Sequence, residues 1–570
     1  MSRIIILAML LVCTFSSYSQ PSLSNELREN ITLRVESGLN PGMVIGLINE
    51  KGVEYFSFGI ASSISQLPVD ENTVFEIGSI SKTFTGVLLA NEVKKGTMNL
   101  DDPIGLYLPK EVKSPTFDGT PIQLAHLSNH TSGLPSLPTN FAPTNPTNPY
   151  ADYTVEQLYA FLETYELTRE AGSQYEYSNY AAGLLGHLLA SKNNMTYEEL
   201  MNKVIAKPLG LKNTVITLSS KMKGSMATGH NMGFEVSNWD LPTLAGAGAI
   251  KSTVTDMVKY VNYNMGLKKH KLYEAMQLSH QNSRQTDDLP SVGLGWHRTG
   301  ANADLIWHNG GTGGFRSFVG FSESEKRGVV ILTNSSESVD DLGFRILNSA
   351  APLRTFKPSI STVVRLAIDQ DGVETGIASY GKYKEQQSDK YEFGEAELNR
   401  LGNTYQVIGE NEKAIAVLKL NTEAFPNSSS TFSSLGEVYY KGENKEAAIA
   451  YFKKAFELSP SNKHAEVRLK ELGVDTANLN AEVTVSTEVL DTYVGKYELA
   501  PGFLVSITRE ENQLKAQATG QPVFPIYPKS ENVFFFKVVD AQLTFNTTEE
   551  ETVKSVTLLQ GGREIEGKKL

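Results

Sequence analysis

A chain of 570 residues is too long for one hydrophobic core; at roughly 100–200 residues per domain it should hold about three or four. Its net charge of −12, with no basic block, argues against nucleic acid and anionic membrane surfaces as main partners.

The first residues, "MSRIIILAMLLVCTFSSYSQ", place Arg3 before an unbroken apolar run from Ile4 to Cys13. That run is shorter than the ~20 residues a spanning helix needs, and it fits the core of an export leader. Ser17 and Ser19 supply a small-x-small cleavage site, giving a leader of residues 1–19 and a mature chain beginning at Gln20. The expected location is periplasmic or extracellular. No later segment is apolar enough to span a bilayer. Cys13 is the only cysteine, so the mature chain can have no disulfide, cysteine nucleophile or cysteine metal site.

Residues 43–61 read as a β-hairpin turning at "EKG". A helix should follow from Ser79 to Lys95, closed by Gly96. Residues 120–290 alternate Pro/Gly/Asn loops with amphipathic stretches such as "YAAGLLGHLLAS" and "TVTDMVKYVNYNM". Strand patterns return at "FRSFVGFS" and "GVVILTN", and a helix at 339–350 closes the unit. Strands at both ends with helices between predict an α/β domain over 25–352, its sheet completed by its two ends.

From 358 to 475 the texture is helical and repetitive. Gly402 matches Gly436, Tyr405 matches Tyr439 and Pro426 matches Pro460, each at an offset of 34. That period resembles tetratricopeptide repeats, which implies a surface for a protein partner. An earlier degenerate unit places Ile377 ahead of Ile415 and Ile449, giving three hairpins, the minimum for a stable array. Residues 485–570 are short β-rich runs between turn residues, the pattern of a small antiparallel barrel or sandwich. They carry no clustered acid, histidine or metal-ligand set and read as structural or binding.

The chemistry concentrates in "FEIGSISKTFTG", residues 75–86. Ser79 and Lys82, three apart at a helix start, share one face. A serine hydroxyl needs a base, and a lysine serves if burial lowers its pKa. The helix N-terminus favours a developing alkoxide. Gly78 is expected to admit substrate to the backbone. The spacing alone decides little, since Ser220/Lys223 and Ser379/Lys382 share it, and an N-capping serine beside a solvated lysine would look the same.

"FEIGSISK" resembles the nucleophile motif of class C β-lactamases and the related D,D-peptidases, D-aminopeptidases and esterases. The resemblance runs over roughly 25–350, with "LAHLSNHTSGLP", "GAGAIKSTVTDM" and "GLGW" similar to framework segments. It implies a β-lactamase/transpeptidase-like fold, an antiparallel sheet flanked by helices plus a helical subdomain, with no cofactor and no metal. The family's Tyr-x-Asn is matched by Tyr177-Ser178-Asn179, 98 residues beyond Ser79 (177 − 79). There Tyr177 would exchange protons, its phenol acidified by the neighbouring ammonium, and Asn179 would hold Lys82 and the acyl amide. The family's Lys-Thr-Gly is replaced by His308-Asn309-Gly310. Gly310 would let the strand approach substrate, and the N–H groups of Ser79 and Gly311 would form the oxyanion hole. A histidine for the lysine would make recognition of a substrate carboxylate depend on the charge of His308, the alternative being an uncharged His308 that only hydrogen-bonds the Ser–Tyr network.

The resemblance implies a hydrolase that opens a β-lactam through a Ser79 acyl-enzyme. The same machinery suits a D-amino-acid peptidase or carboxylesterase, or a sensor that acylates without turnover and uses its repeats to bind a partner. No Gly-x-Ser-x-Gly elbow occurs, which removes an α/β-hydrolase reading. His126 and His130 are four apart, the spacing of a zinc pair, but lack the intervening glutamate of that motif.

Overall fold

The computed structural model describes residues 22–281, 283, 291–300, 303–476, 479, 484–539, 541–547, 553–560 and 563–570. The leader and Cys13 lie outside the described residues. The chain divides into two compact units, Met1–Phe356 and Lys357–Leu570.

The first unit is organised by a six-stranded antiparallel sheet. Strand β1 (Gly42–Asn49) turns tightly into β2 (Gly52–Gly59), and β1 pairs along its other edge with the last strand of the unit. The remaining strands are β3 (His297–Thr299), β4 (Leu305–Gly311), β5 (Arg316–Ser322) and β6 (Arg327–Thr333), in spatial order β2-β1-β6-β5-β4-β3. The two ends of the unit thus complete one sheet. β1, β5 and β6 are buried almost throughout, because both faces of the sheet are covered there. On one face Ile45, Phe318 and Ile331 pack with helices Asn25–Glu36 and Asp340–Leu347. On the other, Val44, Val319 and Val330 join the large core of the helical region.

Within that core runs the helix Ser81–Lys94, entered through a 3₁₀ turn at Gly78–Ile80. It is buried on nearly every side, its polar Ser81, Lys82, Thr83 and Thr85 included. From Thr73 to Ala90 every residue but one is buried; the exception is Ser79.

In the second unit three helical hairpins stack: Ile360–Asp371 with Val373–Gln386, Glu395–Val407 with Asn411–Ala424, and Ser429–Lys441 with Lys445–Leu458. The helix Lys463–Glu471 follows. The repeat glycines mark close helix contacts. A Cβ on Gly402 would stand 2.4 Å from Leu418, and one on Gly436 would stand 2.9 Å from Phe452. The chain then closes an eight-stranded antiparallel barrel from Gly495 to Lys569, the barrel rather than the sandwich of the two β architectures expected. Lys529 and Gln542 of the barrel both donate to the Leu458 carbonyl, so helices and barrel belong to one unit.

Among the described residues no helix is long and apolar enough to cross a membrane.

Candidate active site

Gly78 sits at φ +50°, in the left-handed region, and a Cβ there would lie 2.6 Å from the Gly311 nitrogen. The space it leaves is therefore taken by the β4 backbone, not by substrate. Gly310 has the same function one residue earlier: a Cβ would meet the Ile77 carbonyl oxygen at 2.0 Å. These two glycines correct the sequence expectation, because they let the nucleophile turn and the strand end touch rather than admit a ligand.

That contact orients the amides. Thr312 N–H donates to the Phe315 carbonyl, closing a hairpin around Gly313 and Gly314. The alternation of an antiparallel ladder then makes Gly311/Arg316 a non-bonded pair, and the Gly311 N–H points away from β5, toward Gly78 and Ser79. Ser79 lies in the first turn of its helix, where N–H groups have no helical acceptor.

Lys82 stands one turn on, 2 % exposed. Its Nζ has three oxygen neighbours: Ser79 Oγ at 2.9 Å, Asn179 Oδ1 at 2.7 Å and the Ala247 carbonyl at 2.7 Å. Burial holds its pKa well below the usual lysine value. A neutral amine has two N–H donors and one lone pair. In that neutral form the two carbonyl-type oxygens, which can only accept, take the two donors, and the lone pair is left for the Ser79 hydroxyl proton. Lys82 is thereby posed as a base.

Tyr177 presents its ring to the same amine, with Nζ 4.8 Å from the centroid, and its hydroxyl bonds Ser79. Burial pushes its pKa up, the bond to Ser79 only partly opposing this. The expected acidified phenol is not found. Burial penalises the phenolate more than the Ser79 bond stabilises it, so Tyr177 keeps its proton.

The loop at 128–136 sets this tyrosine. His130 adopts φ +61°, its carbonyl accepts from Glu176 N–H at 2.7 Å, and its Nδ1 accepts from Ser178 N–H at 3.2 Å. Its ring lies against the Tyr177 ring at 4.3 Å. The Ser178 hydroxyl caps the helix Asn179–Lys192 by accepting from Ala181 N–H at 2.9 Å and donates to the Pro135 carbonyl at 2.6 Å. Asn179 is thus delivered to Lys82 from a helix start. The other framework segments also meet the nucleophile helix. Ala247 supplies the carbonyl on Lys82, and a Cβ on Gly295 would meet the Lys82 carbonyl at 2.2 Å.

His308 is buried, and its Nδ1–H donates to the Asn309 carbonyl at 2.5 Å. Burial, with His297 and Lys82 nearby, keeps its pKa well below the usual imidazole value. This corrects the expectation of a titrating recognition charge: the ring has no room for a solvated proton and stands neutral. Its ring lies 4.9 Å from His297, whose pKa is lowered to about 4 by burial and by Lys82. His130 is likewise depressed, by burial first and then by Lys82 and His297. Three imidazoles and Lys82 are thus buried in one cluster beside Tyr177, and burial is the first cause of each lowered pKa. Among the described residues no group of His, Cys, Asp or Glu is placed to hold a metal ion. His126 is instead used locally, its Nδ1 accepting from Gln123 N–H at 3.2 Å.

Asn309, expected at the substrate, is not brought there. With a period of two along β4 its side chain takes the opposite face from His308, and Nδ2 donates to Asp340 Oδ2 at 2.7 Å. It braces the strand against the helix Asp340–Leu347. Sequence reasoning missed Ala247, which acts through its backbone and leaves no side-chain signal. It also missed His130 as a neighbour of Tyr177 and His297 as a neighbour of His308; His130 stood out only for its zinc-like spacing.

The model of the β-lactamase family matches residues 27–351, more than half of the chain, and the chain belongs to that family. A β-lactamase of Escherichia coli K12 is 28% identical over 60% of this chain and 98% of its own length. One of Pseudomonas fluorescens is 30% identical over 52% and 88%. The D-alanyl-D-alanine-carboxypeptidase/endopeptidase AmpH of Escherichia coli K12 is 28% identical over 53% and 83%. Among solved structures, a class C β-lactamase and a β-lactamase/D-alanine carboxypeptidase from Pseudomonas syringae each superpose with a TM-score of 0.51 at 24% identity. Each covers 57% of this chain and 98% of its own, a likeness of fold. A tetratricopeptide repeat model matches 430–462, and a domain of unknown function, DUF3471, matches 479–569.

Proposed function

We propose that the chain is an exported hydrolase that passes an acyl group from a β-lactam amide to Ser79 and then to water. The observation that carries this reading is the buried three-oxygen seat of Lys82, which in the neutral amine leaves the lone pair for the Ser79 hydroxyl. Lys82 takes that proton as Ser79 Oγ attacks the carbonyl carbon. The N–H groups of Ser79 and Gly311 receive the oxyanion, and one such donor is worth roughly 10²–10³ in rate. Tyr177 gives its proton to the leaving nitrogen and is reprotonated from Lys82. Water then attacks the ester, with the same groups run in reverse. Asn179, beside Lys82, meets the acyl amide. Export rests on the apolar leader alone.

A second reading, a D-amino-acid peptidase or carboxylesterase, is favoured by His308. A neutral imidazole offers no fixed charge to the carboxylate a β-lactam or peptide carries, whereas an ester needs none. A sensor that acylates and stops shares the first half of the chemistry, with the helical repeats taking a protein partner. Steady-state kcat/KM for a penicillin, a cephalosporin, a D-Ala-D-Ala peptide and a neutral ester separates these readings. Turnover of the lactams supports the first, and turnover confined to peptide or ester supports the second. Failure of all four to turn over would overturn both.

A further inference from the structure

The barrel of the second unit is filled at one end and hollow at the other. Its strands alternate, so residues two apart face the same interior. One interior layer holds Ile507, Leu514, Ile526, Phe534 and Phe545. The helix Thr487–Tyr493, just before the barrel, adds to it: the Tyr493 ring stacks on Phe545 at 4.2 Å, and Phe534 meets Phe545 edge-on at 5.6 Å. Toward the other end the same inward positions change character. Leu514 is followed at that spacing by Ala516 and Ala518, and Leu543 is preceded by Ala541. Small side chains there leave a cavity of about 470 Å³. That volume lies within the roughly 300–1,000 Å³ typical of small-molecule pockets.

Two further observations point to an occupant. Among the described residues no charged side chain lines the cavity; its polar members are the amides of Gln521 and Gln560. At its margin Phe503 and Val538, which belong to the lining, are left 38% and 62% exposed. Apolar side chains exposed at the margin of a largely apolar hollow are the mark of a site that a ligand completes.

We propose that this end of the barrel binds a small, uncharged, largely aliphatic molecule of the medium-chain acyl type. Its hydrocarbon would lie against Ala518, Phe536 and Leu558, and its single polar head would meet the glutamine amides. The site is independent of Ser79 and of the hydrolytic reading.

The test uses the full chain and the fluorescent probe N-phenyl-1-naphthylamine, competed by 1-decanol and methyl decanoate. Wild type should enhance the probe's emission, and both competitors should reverse it. Ala518→Phe, which fills the hollow, and Val538→Asp, which charges its exposed margin, should each weaken probe binding at least tenfold. Ester hydrolysis at Ser79 should be unchanged in both. Because Val538 is largely exposed, its variant should fold even where the filled cavity does not, as circular dichroism would show. Probe binding unchanged in a folded Val538→Asp would overturn the proposal. So would a wild type that binds no probe but self-associates in sedimentation through this margin, since the apolar residues would then serve a protein contact.

Discussion

The amine of Lys82 stands 2.9 Å from the hydroxyl of Ser79 while its other two polar contacts are carbonyl oxygens that can only accept. Once the amine is neutral, this relationship leaves its lone pair to the Ser79 hydroxyl, and the proposed chemistry follows from it.

Removing Ala247's carbonyl is impossible by substitution, but the other contact can be changed. Asn179→Leu should leave one Lys82 donor unpaired and lower kcat/KM by about 10²-fold, the low end of the general acid–base contribution. Single-turnover acylation with a chromogenic ester checks this, and a rate within threefold of wild type would argue that Asn179 does not set the base.

Lys82 and Tyr177 should act as one proton-transfer unit. General acid–base help is typically worth about 10²–10⁴, and residues that act together are not additive. Lys82→Ala/Tyr177→Phe should therefore lose little more than the worse single variant. Fully multiplicative losses would mean separate roles.

The pH dependence should follow the buried base. Lys82 is active when neutral and its pKa is lowered from the usual 10.5, so kcat/KM should fall as pH drops through that lowered value. His308 is already neutral through the same range. A penicillin and an uncharged ester should then show parallel profiles between pH 6.5 and 8.5, set by Lys82 alone. His308→Lys should separate them by improving the carboxylate-bearing substrate. A wild-type penicillin profile that fell with rising pH while the ester's did not would restore the charge role that the burial of His308 removes.

Much of this was legible beforehand. "FEIGSISK", "YSN" and the three framework segments named the parts, and all of them meet around one helix. The helical repeats were legible because a period of 34 repeats the same packing demand, as Gly402 and Gly436 show. What was not legible depended on burial and parity. A sequence does not say that His308 faces a cluster already holding His297 and Lys82, nor that Asn309 must then face away. Gly78 looked like room for substrate because nothing local shows a strand end, Gly311, arriving from more than two hundred residues later.

Buried neutral imidazoles should make stability depend on acid. His280 is buried against Trp296, and its pKa is lowered to about 3 from 6.5, first by burial and then by Arg298. Between those values the unfolded chain takes up a proton that the folded chain refuses. Stability is therefore lost as pH falls from 6.5 toward 3, at about 1.4 kcal/mol per pH unit for one full proton. His280→Gln should unfold with a shallower pH slope over 6.5–4.5 in urea. All 3 tryptophans lie before residue 357, so their fluorescence reports the first unit. Equal slopes would show that His280 does not titrate this way.

The most direct measurement is time-resolved intact mass after mixing wild type and Ser79→Ala with a penicillin, a cephalosporin, a D-Ala-D-Ala peptide and a simple ester. Wild type should gain the mass of at least one acyl group within the first turnover and then lose it to water. Peptide mapping should place that mass on Ser79, and the folded Ser79→Ala chain should gain none. An adduct that persists in Ser79→Ala, or one mapped to Ser220 or Ser379, would contradict the account.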